Sequence, residues 1–128
     1  MRSDHLKMET ILVVDDGPTV LNLCQRILNL GGYNVLPASG GEAALRTVAQ
    51  NGEKPIDLAL LDVMMPVMNG VELARRIQKL SPATKIVLMS GFGPKEIGAV
   101  VGQHPYRLIW KPFKTESLLQ MIENALAS

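Results

Sequence analysis

The sequence predicts an α/β fold, a doubly wound sheet of five parallel strands covered by helices on both faces. Five apolar runs of strand length alternate with segments of helical periodicity, and the connections between them are short. The third run, residues 58–61, is apolar at every position, which is typical of a strand buried on both faces. Because crossovers between parallel strands are right-handed, and five strands suit one of the two common doubly wound arrangements, we expect the order 2-1-3-4-5.

The first half of the chain contains three predicted strands and two predicted helices. The strands are predicted over residues 10–14, 33–36 and 56–62. The first helix begins at Pro18, which suits a first helical turn, and is stopped by Gly31. Its apolar face is formed by residues that recur at helical spacing: Val20, Leu23, Cys24, Ile27 and Leu28. Ser39 is the predicted cap of the second helix, which closes at Asn51.

The second half contains two further strands and three helices. The strands are predicted over residues 85–89 and 106–110. One helix begins after Asn69, a plausible cap, and ends at Ser81. The next, over residues 95–103, is expected to be weak, because Gly98 and Gly102 each disfavour a helix by about 1 kcal/mol relative to alanine. Thr115 is the predicted cap of the last helix.

Length, charge and cysteine content narrow the class of protein. At 128 residues the chain suits one domain, predicted over residues 10–127 and preceded by a flexible tail at residues 1–9. The net charge of +1 and the lack of a basic run argue against nucleic acid as a direct partner. The single cysteine, Cys24, can form no internal disulfide and is predicted to lie in the core. No apolar run approaches the about 20 residues that span a bilayer, so we expect a soluble cytoplasmic protein without membrane contact.

Four of the five predicted strands end in a residue that can take part in chemistry. The first ends at Asp15 and Asp16, the third at Asp62, the fourth at Ser90 and the fifth at Lys111. Because the carboxyl ends of parallel strands share one edge, these side chains should converge, and the acid pair should face Asp62 across the switch point. Taken singly, most have a plainer interpretation: a helix cap for either of the first two acids, a turn residue for Ser90 and a solvated strand end for Lys111.

Three carboxylates, an ammonium and a hydroxyl form a set suited to phosphoryl transfer. Clustered carboxylates repel one another, and a Mg²⁺ ion, which prefers oxygen ligands, relieves that repulsion. A metal, Lys111 and Ser90 around one carboxylate would stabilise a transferring phosphoryl group. Asp62 would then be the nucleophile and would become an acyl phosphate. Nucleotide binding is disfavoured, because no glycine-rich phosphate cradle follows the first strand.

The chain resembles the receiver domain of two-component response regulators over roughly residues 9–127. Four segments carry the resemblance, in order and each at a predicted strand end: VVDD at residues 13–16, LDVMMPVMNG at 61–70, MSG at 89–91 and KPF at 111–113. The resemblance implies a flavodoxin-like (βα)5 fold. It fits both a stand-alone regulator similar to the chemotaxis regulators and the receiver of a hybrid kinase.

The resemblance also implies which residues hold the metal and the phosphoryl group. Asp62 matches the phosphoacceptor and is a metal ligand as well. Asp16 matches the direct metal ligand, and Asp15 supports the metal directly or through water. The backbone carbonyl of Met64 matches the remaining protein ligand of Mg²⁺.

Two more residues match groups that contact the phosphoryl oxygens in the family. Ser90 matches the hydroxyl that binds one of these oxygens and changes position on activation. Lys111 matches the ammonium that pairs with the phosphoryl group. The bond between Lys111 and Pro112 resembles the cis peptide of the family, and cis peptides are essentially confined to proline.

The chain departs from the family pattern at two positions, and two further positions bear on the lifetime of the phosphoryl group. Gly17 stands where many relatives have a further acid, which weakens the local negative field. Leu108 stands three residues before the lysine, where many relatives have an aromatic residue that changes rotamer on activation. Met64 and Phe92 are apolar at two positions that control access of the hydrolytic water, and we expect slow loss of the phosphoryl group.

We therefore expect a signalling domain that catalyses only its own phosphorylation and dephosphorylation. Asp62 would take the phosphoryl group from a histidine kinase or a histidine phosphotransfer domain, and the domain would switch conformation to control an unknown downstream protein. Two alternatives stay open: an interaction module that acts without phosphorylation, and a Mg²⁺-dependent aspartyl-phosphate phosphohydrolase. The former usually lacks an acid or the lysine, and the latter usually has a second acid where this chain has Met64.

Overall fold

The computed structural model describes residues 9–52, 54–91 and 105–128. The predicted helix at residues 95–103 and the side chain of Phe92 lie outside the described residues, as does the predicted tail apart from Glu9. None of the helices in the described ranges is long and apolar enough to cross a membrane.

The described residues form five strands and four helices. The strands are β1 Thr10–Val14, β2 Asn34–Ala38, β3 Leu58–Asp62, β4 Lys85–Ser90 and β5 Arg107–Trp110. The helices found in these ranges are α1 Pro18–Leu30, α2 Gly41–Gln50, α3 Gly70–Leu80 and α4 Thr115–Ala127. The predicted strands are therefore confirmed, with ends that differ by no more than two residues.

The five strands form one parallel sheet in the order β2-β1-β3-β4-β5, which confirms the predicted topology. β1 and β3 are direct neighbours, with Val14 paired to Leu61. β3 is also paired with β4, where Asp62 lies opposite Met89. The carboxyl ends of β1 and β3 therefore lie side by side at the point where the strand order reverses.

Two apolar layers cover the sheet. Ala59 and Leu61 of β3 face a core layer that includes residues of α2 and α3, and the alternate residues Leu58 and Leu60 face the layer of α1 and α4. The four apolar residues of β3 are buried, as the continuous apolar run predicted, and Asp62 at the end of the strand is buried as well. Cys24 is buried in the second layer, which confirms its assignment to the core.

Leu23 is an exception to the predicted apolar face of α1. Cys24, Ile27 and Leu28 are buried, but Leu23 is 47% exposed. The apolar stripe of this helix is thus wider than the surface that covers it, and the prediction for Leu23 was wrong.

The helix caps agree with the sequence at one of three positions. The Asn69 side chain accepts a hydrogen bond of 3.0 Å from the backbone N–H of Glu72 and caps α3 as predicted. The predictions for Ser39 and Thr115 were wrong. Each lies one residue away from the true cap, which is Gly40 for α2 and Lys114 for α4, and neither cap residue makes a side-chain hydrogen bond.

Candidate functional site

Three carboxylates meet at the carboxyl ends of β1 and β3. Asp15 and Asp16 directly follow β1, and Asp62 is the last residue of β3. Each offers an oxygen within 4.8 Å of the oxygens of the other two. Asp15 and Asp62 are buried, whereas Asp16 is exposed. The predicted convergence of these three acids is therefore present.

Lys111, the first residue after β5, brings a positive charge to these acids. Its Nζ lies 2.9 Å from Oδ2 of Asp15 and 3.1 Å from Oδ1 of Asp62. Its backbone N–H donates to the carbonyl of Ser90 at 2.7 Å, which fixes the start of the loop against β4. The peptide between Lys111 and Pro112 is cis, as the resemblance implied.

Both oxygens of Asp15 are occupied by protein donors. Oδ1 accepts a hydrogen bond of 2.8 Å from the backbone N–H of Gly17, and Oδ2 accepts from Lys111. Asp15 thus holds the loop between β1 and α1 and also orients the lysine. Asp16 and the second oxygen of Asp62 are better placed to bind a cation directly, because neither accepts a hydrogen bond from the described residues.

The electrostatics of the site are set by burial and by an excess of negative charge. Burial raises the pKa of Asp62 above its ordinary value; Lys111 opposes this rise, and Asp15 adds to it. Burial alone would lower the pKa of Lys111, but its hydrogen bonds and charge interactions with Asp15 and Asp62 raise it. Three carboxylates and one ammonium leave a net charge of about −2, which a divalent cation would neutralise.

The other two predicted site residues are Ser90 and Met64. Ser90 ends β4, the neighbour of β3, and Met64 closely follows the end of β3. Ser90 is fully buried at the end of β4, one residue after the partner of Asp62 in the sheet. Met64 is half-buried and follows Asp62 by two residues in the loop before α3. The roles of the Ser90 hydroxyl and the Met64 carbonyl stay predictions.

Gly70 is a residue of the site that the sequence reasoning did not assign a role. A Cβ atom at this position would lie 2.4 Å from the backbone carbonyl oxygen of Asp62. The N–H of Gly70 also donates to the carbonyl of Val63 at 2.9 Å, so the start of α3 presses directly against the end of β3. The signal in the sequence was a glycine at the first position of a helix, where a residue with a side chain is ordinarily preferred.

Leu108, three residues before Lys111, is half-buried against the layer of α2 and α3. Tyr106 packs against the same layer, and its hydroxyl lies 3.1 Å from Oε1 of Gln78 in α3. The resemblance implied an aromatic residue at the position of Leu108. In this chain Tyr106 stands two residues earlier, farther from the carboxyl end of β5.

Comparison with known proteins decides the family. The model of the response regulator receiver domain matches residues 11–123. The chain belongs to this family. Receiver domains are signalling modules of two-component systems, and the predicted recognition, fold and function class are confirmed.

Individual relatives agree with this assignment. The chain is 44% identical over 92 residues to the autoinducer 1 sensor kinase/phosphatase LuxN of Vibrio campbellii, covering 71% of this chain and 10% of LuxN. It is 33% identical over 117 residues to the transcriptional regulatory protein GlrR of Escherichia coli, covering 91% of this chain and 26% of GlrR. A crystal structure of a response regulator receiver domain protein from Clostridium thermocellum aligns with a TM-score of 0.81 and 28% identity, covering 93% and 94% of the two chains. This receiver domain therefore spans only a small part of the two curated relatives.

The raised pKa of Asp62 predicts how the stability of this receiver domain depends on pH. Since the folded domain holds the Asp62 proton more tightly than the unfolded chain, the contribution of Asp62 to the free energy of unfolding should fall as pH rises from 3.8 through the raised pKa. At neutral pH without metal, Asp62→Asn should therefore be more stable than the natural chain by on the order of 1 kcal/mol. Urea unfolding in EDTA measures this difference, which should vanish below pH 3.8, where the acid is neutral in both states. A stability gain that is equal at every pH would contradict this explanation.

Proposed function

We propose that this receiver domain accepts a phosphoryl group on Asp62 in a Mg²⁺-dependent reaction. The observation that carries the proposal is the cluster itself: a buried carboxylate with a raised pKa, an ammonium 3.1 Å from it and two further acids within 4.8 Å. A buried acid that is costly to ionise and is surrounded by groups able to bind phosphoryl oxygens is typical of a functional site. A structural ion pair would need only one of the three acids.

The donor set fits Mg²⁺. Asp16 and Asp62 would hold the ion directly, Asp15 would support it, and the Met64 carbonyl would complete the protein ligands. All of these donors are oxygens, which Mg²⁺ prefers. Because the protein supplies only a small number of them, coordination positions stay available for waters and a phosphoryl oxygen. When bound, the ion would withdraw charge from the oxygens of the transferring group.

The site residues of this chain would carry out the phosphoryl transfer itself. An oxygen of Asp62 attacks phosphorus, and the O–P bond forms as the bond from phosphorus to the leaving histidine nitrogen breaks. That nitrogen keeps the electron pair of the broken bond. Lys111, already 3.1 Å from Asp62, would pair with one phosphoryl oxygen, and Ser90 would donate a hydrogen bond to another. Asp15 would act as a positioning residue, since it holds the Lys111 ammonium at 2.9 Å.

The proposed donor is a histidine kinase or a histidine phosphotransfer domain. A phosphohistidine must bring its phosphorus to within roughly 3 Å of Asp62, so the donor protein has to rest on the surface beside the site. A groove of about 420 Å³ next to Lys111 offers such a surface, and its walls include Val20, Leu23 and Phe113. The exposure of Leu23 is consistent with this contact. We further propose a cytoplasmic domain that controls a downstream protein and binds neither nucleic acid nor membrane directly.

Intact mass after incubation with acetyl phosphate tests the proposed phosphorylation. With Mg²⁺, the natural chain should gain the mass of one phosphoryl group, whereas Asp62→Asn and the natural chain in EDTA should gain none. An unchanged mass of the natural chain would instead favour an interaction module that acts without phosphorylation. Continuous release of phosphate from a simple monoester would favour the phosphohydrolase alternative.

Met64 leads to a prediction about the lifetime of the phosphorylated domain. Its half-buried side chain, two residues after Asp62, has no hydrogen-bond donor and only a weak acceptor, so it orients a water poorly. Met64→Asn should therefore speed hydrolysis by roughly fivefold to tenfold, the effect of one hydrogen bond of about 1 kcal/mol. Decay of the phosphorylated mass with time gives the rate, and Met64→Leu serves as the control of similar size. Equal decay of the asparagine and leucine variants would contradict the prediction.

A further inference from the structure

Val67, in the loop between β3 and α3, combines a strained backbone with a fully exposed apolar side chain. Its φ of 71° is unusual for a β-branched residue. The N–H of Met68 donates to the carbonyl of Pro66 at 2.7 Å, which closes a γ-turn around Val67. Such strain persists only where the surrounding structure imposes it, and it often marks a functional surface. Val67 is therefore a candidate for a functional contact.

A groove of about 630 Å³ runs between α2 and α3, and Val67 stands at its rim. Leu45, Ala49 and Met68 contribute apolar surface to the groove. The same face of the domain therefore carries an apolar projection, Val67, and a concave apolar surface that could receive one.

The charges around this groove are balanced in sign. Glu42 and Arg46 lie one helical turn apart on α2, and Glu72 and Arg76 lie one turn apart on α3. Arg76 forms an ion pair of 2.9 Å with Glu72, whereas Arg46 has no such partner among the described residues. Two acids and two bases give no preference for a strongly acidic or strongly basic partner. A second copy of this chain, related to the first by a two-fold axis, presents the same four charges in reversed order. The acids of one copy can then face the bases of the other.

We propose that the groove between α2 and α3 is a self-association surface through which two copies of this chain form a two-fold dimer. Val67 of each copy enters the groove of the other, so the contact is used twice. The ion pairs at the rim form between Glu42 or Glu72 of one copy and Arg46 or Arg76 of its partner. Because these pairs are exposed, the dimer weakens as salt concentration rises.

A charge-swap experiment tests the proposal without assuming which acid meets which base. One variant carries Arg46→Glu and Arg76→Glu, and a second carries Glu42→Lys and Glu72→Lys. Sedimentation velocity at protein concentrations from roughly 1 µM to 1 mM should show the natural chain dimerising and each variant alone monomeric. An equimolar mixture of the two variants should recover dimers. A natural chain that is monomeric throughout, or variants that each dimerise like the natural chain, would overturn the proposal.

Val67→Gly separates the dimer contact from the backbone strain. Glycine adopts a positive φ without strain, so this variant should unfold at a higher temperature than the natural chain while its dimer weakens by roughly tenfold or more. Leu30→Ala, which removes an exposed apolar side chain from α1 on the opposite side of the sheet, is the matched control and should leave dimerisation unchanged. A Val67→Gly protein that is more stable but dimerises normally would show that Val67 is not the contact.

Discussion

Gly70→Ala is expected to destabilise the domain by about 2–3 kcal/mol and to disturb Asp62. The added Cβ would lie 2.4 Å from the carbonyl oxygen of Asp62 and 3.0 Å from both its carbonyl carbon and the Cα of Val63. All three atoms belong to the backbone of a buried segment, so no side-chain rotation can relieve the overlap. The start of α3 must then move away from the end of β3, and the hydrogen bond from Gly70 to Val63 would lengthen or break.

Two measurements distinguish this local displacement from general unfolding. Urea unfolding gives the loss of stability, and acetyl phosphate labelling below the transition reports the geometry at Asp62. The matched control is Gly91→Ala, because a Cβ at Gly91 would lie within 4 Å of no atom of the described residues. We expect the Gly70 variant to be labelled much more slowly than the Gly91 variant even where both are folded. Normal stability of the Gly70 variant would contradict the close approach of the two backbones.

Lys111→Met is expected to cost about 2 kcal/mol of stability at neutral pH when no divalent metal is present. The substitution leaves Asp15 and Asp62, which are almost completely buried, without their cation. Removing one partner of a buried ion pair costs about 3–5 kcal/mol, and the 21% exposure of the lysine side chain reduces that figure. The pKa of Asp62, already raised by burial, should rise further without the lysine.

The sign of the pH dependence follows from this rise. Below pH 3.8 Asp62 is neutral whether folded or unfolded, so the stability of the variant should be close to that of the natural chain. As pH rises through the raised pKa of Asp62, the variant should lose stability relative to the natural chain. Thermal unfolding in EDTA over this range measures the effect, and Lys114→Met, at an exposed lysine three residues later, is the control.

Magnesium offers a second readout on the same Lys111 variant. Since the site without Lys111 is more negative, added Mg²⁺ should raise the melting temperature of the variant more than that of the natural chain. A variant that is equally destabilised at all pH values and insensitive to Mg²⁺ would indicate lost packing and not lost charge.

The sequence predicted which residues meet at the edge of the sheet more completely than it predicted the local backbone. Asp62 could be placed at the sheet edge because a charge that ends a wholly apolar strand has few alternatives, and Lys111 followed from the rule that parallel strands share an edge. The contacts from Lys111 to two separate acids confirm that these distant segments converge.

Other features depend on three-dimensional contacts that periodicity does not encode. The close approach at Gly70 arises from where α3 enters the sheet, and the γ-turn at Val67 arises from the path of the preceding loop. The caps at Ser39 and Thr115 were misplaced by one residue because the prediction assumed a side-chain cap, whereas the cap residues Gly40 and Lys114 make no side-chain hydrogen bond.

The long separation between the partners of Lys111 has a consequence for biosynthesis. This lysine lies 96 residues after Asp15 and 49 after Asp62 in the sequence. The ribosome therefore adds both acids well before it adds the lysine that pairs with them. A nascent chain that holds only β1 to β4 would have to bring two buried acids together without the lysine that pairs with both. Emergence of β5 therefore completes the electrostatics as well as the sheet, and co-translational folding of the carboxyl edge should finish last.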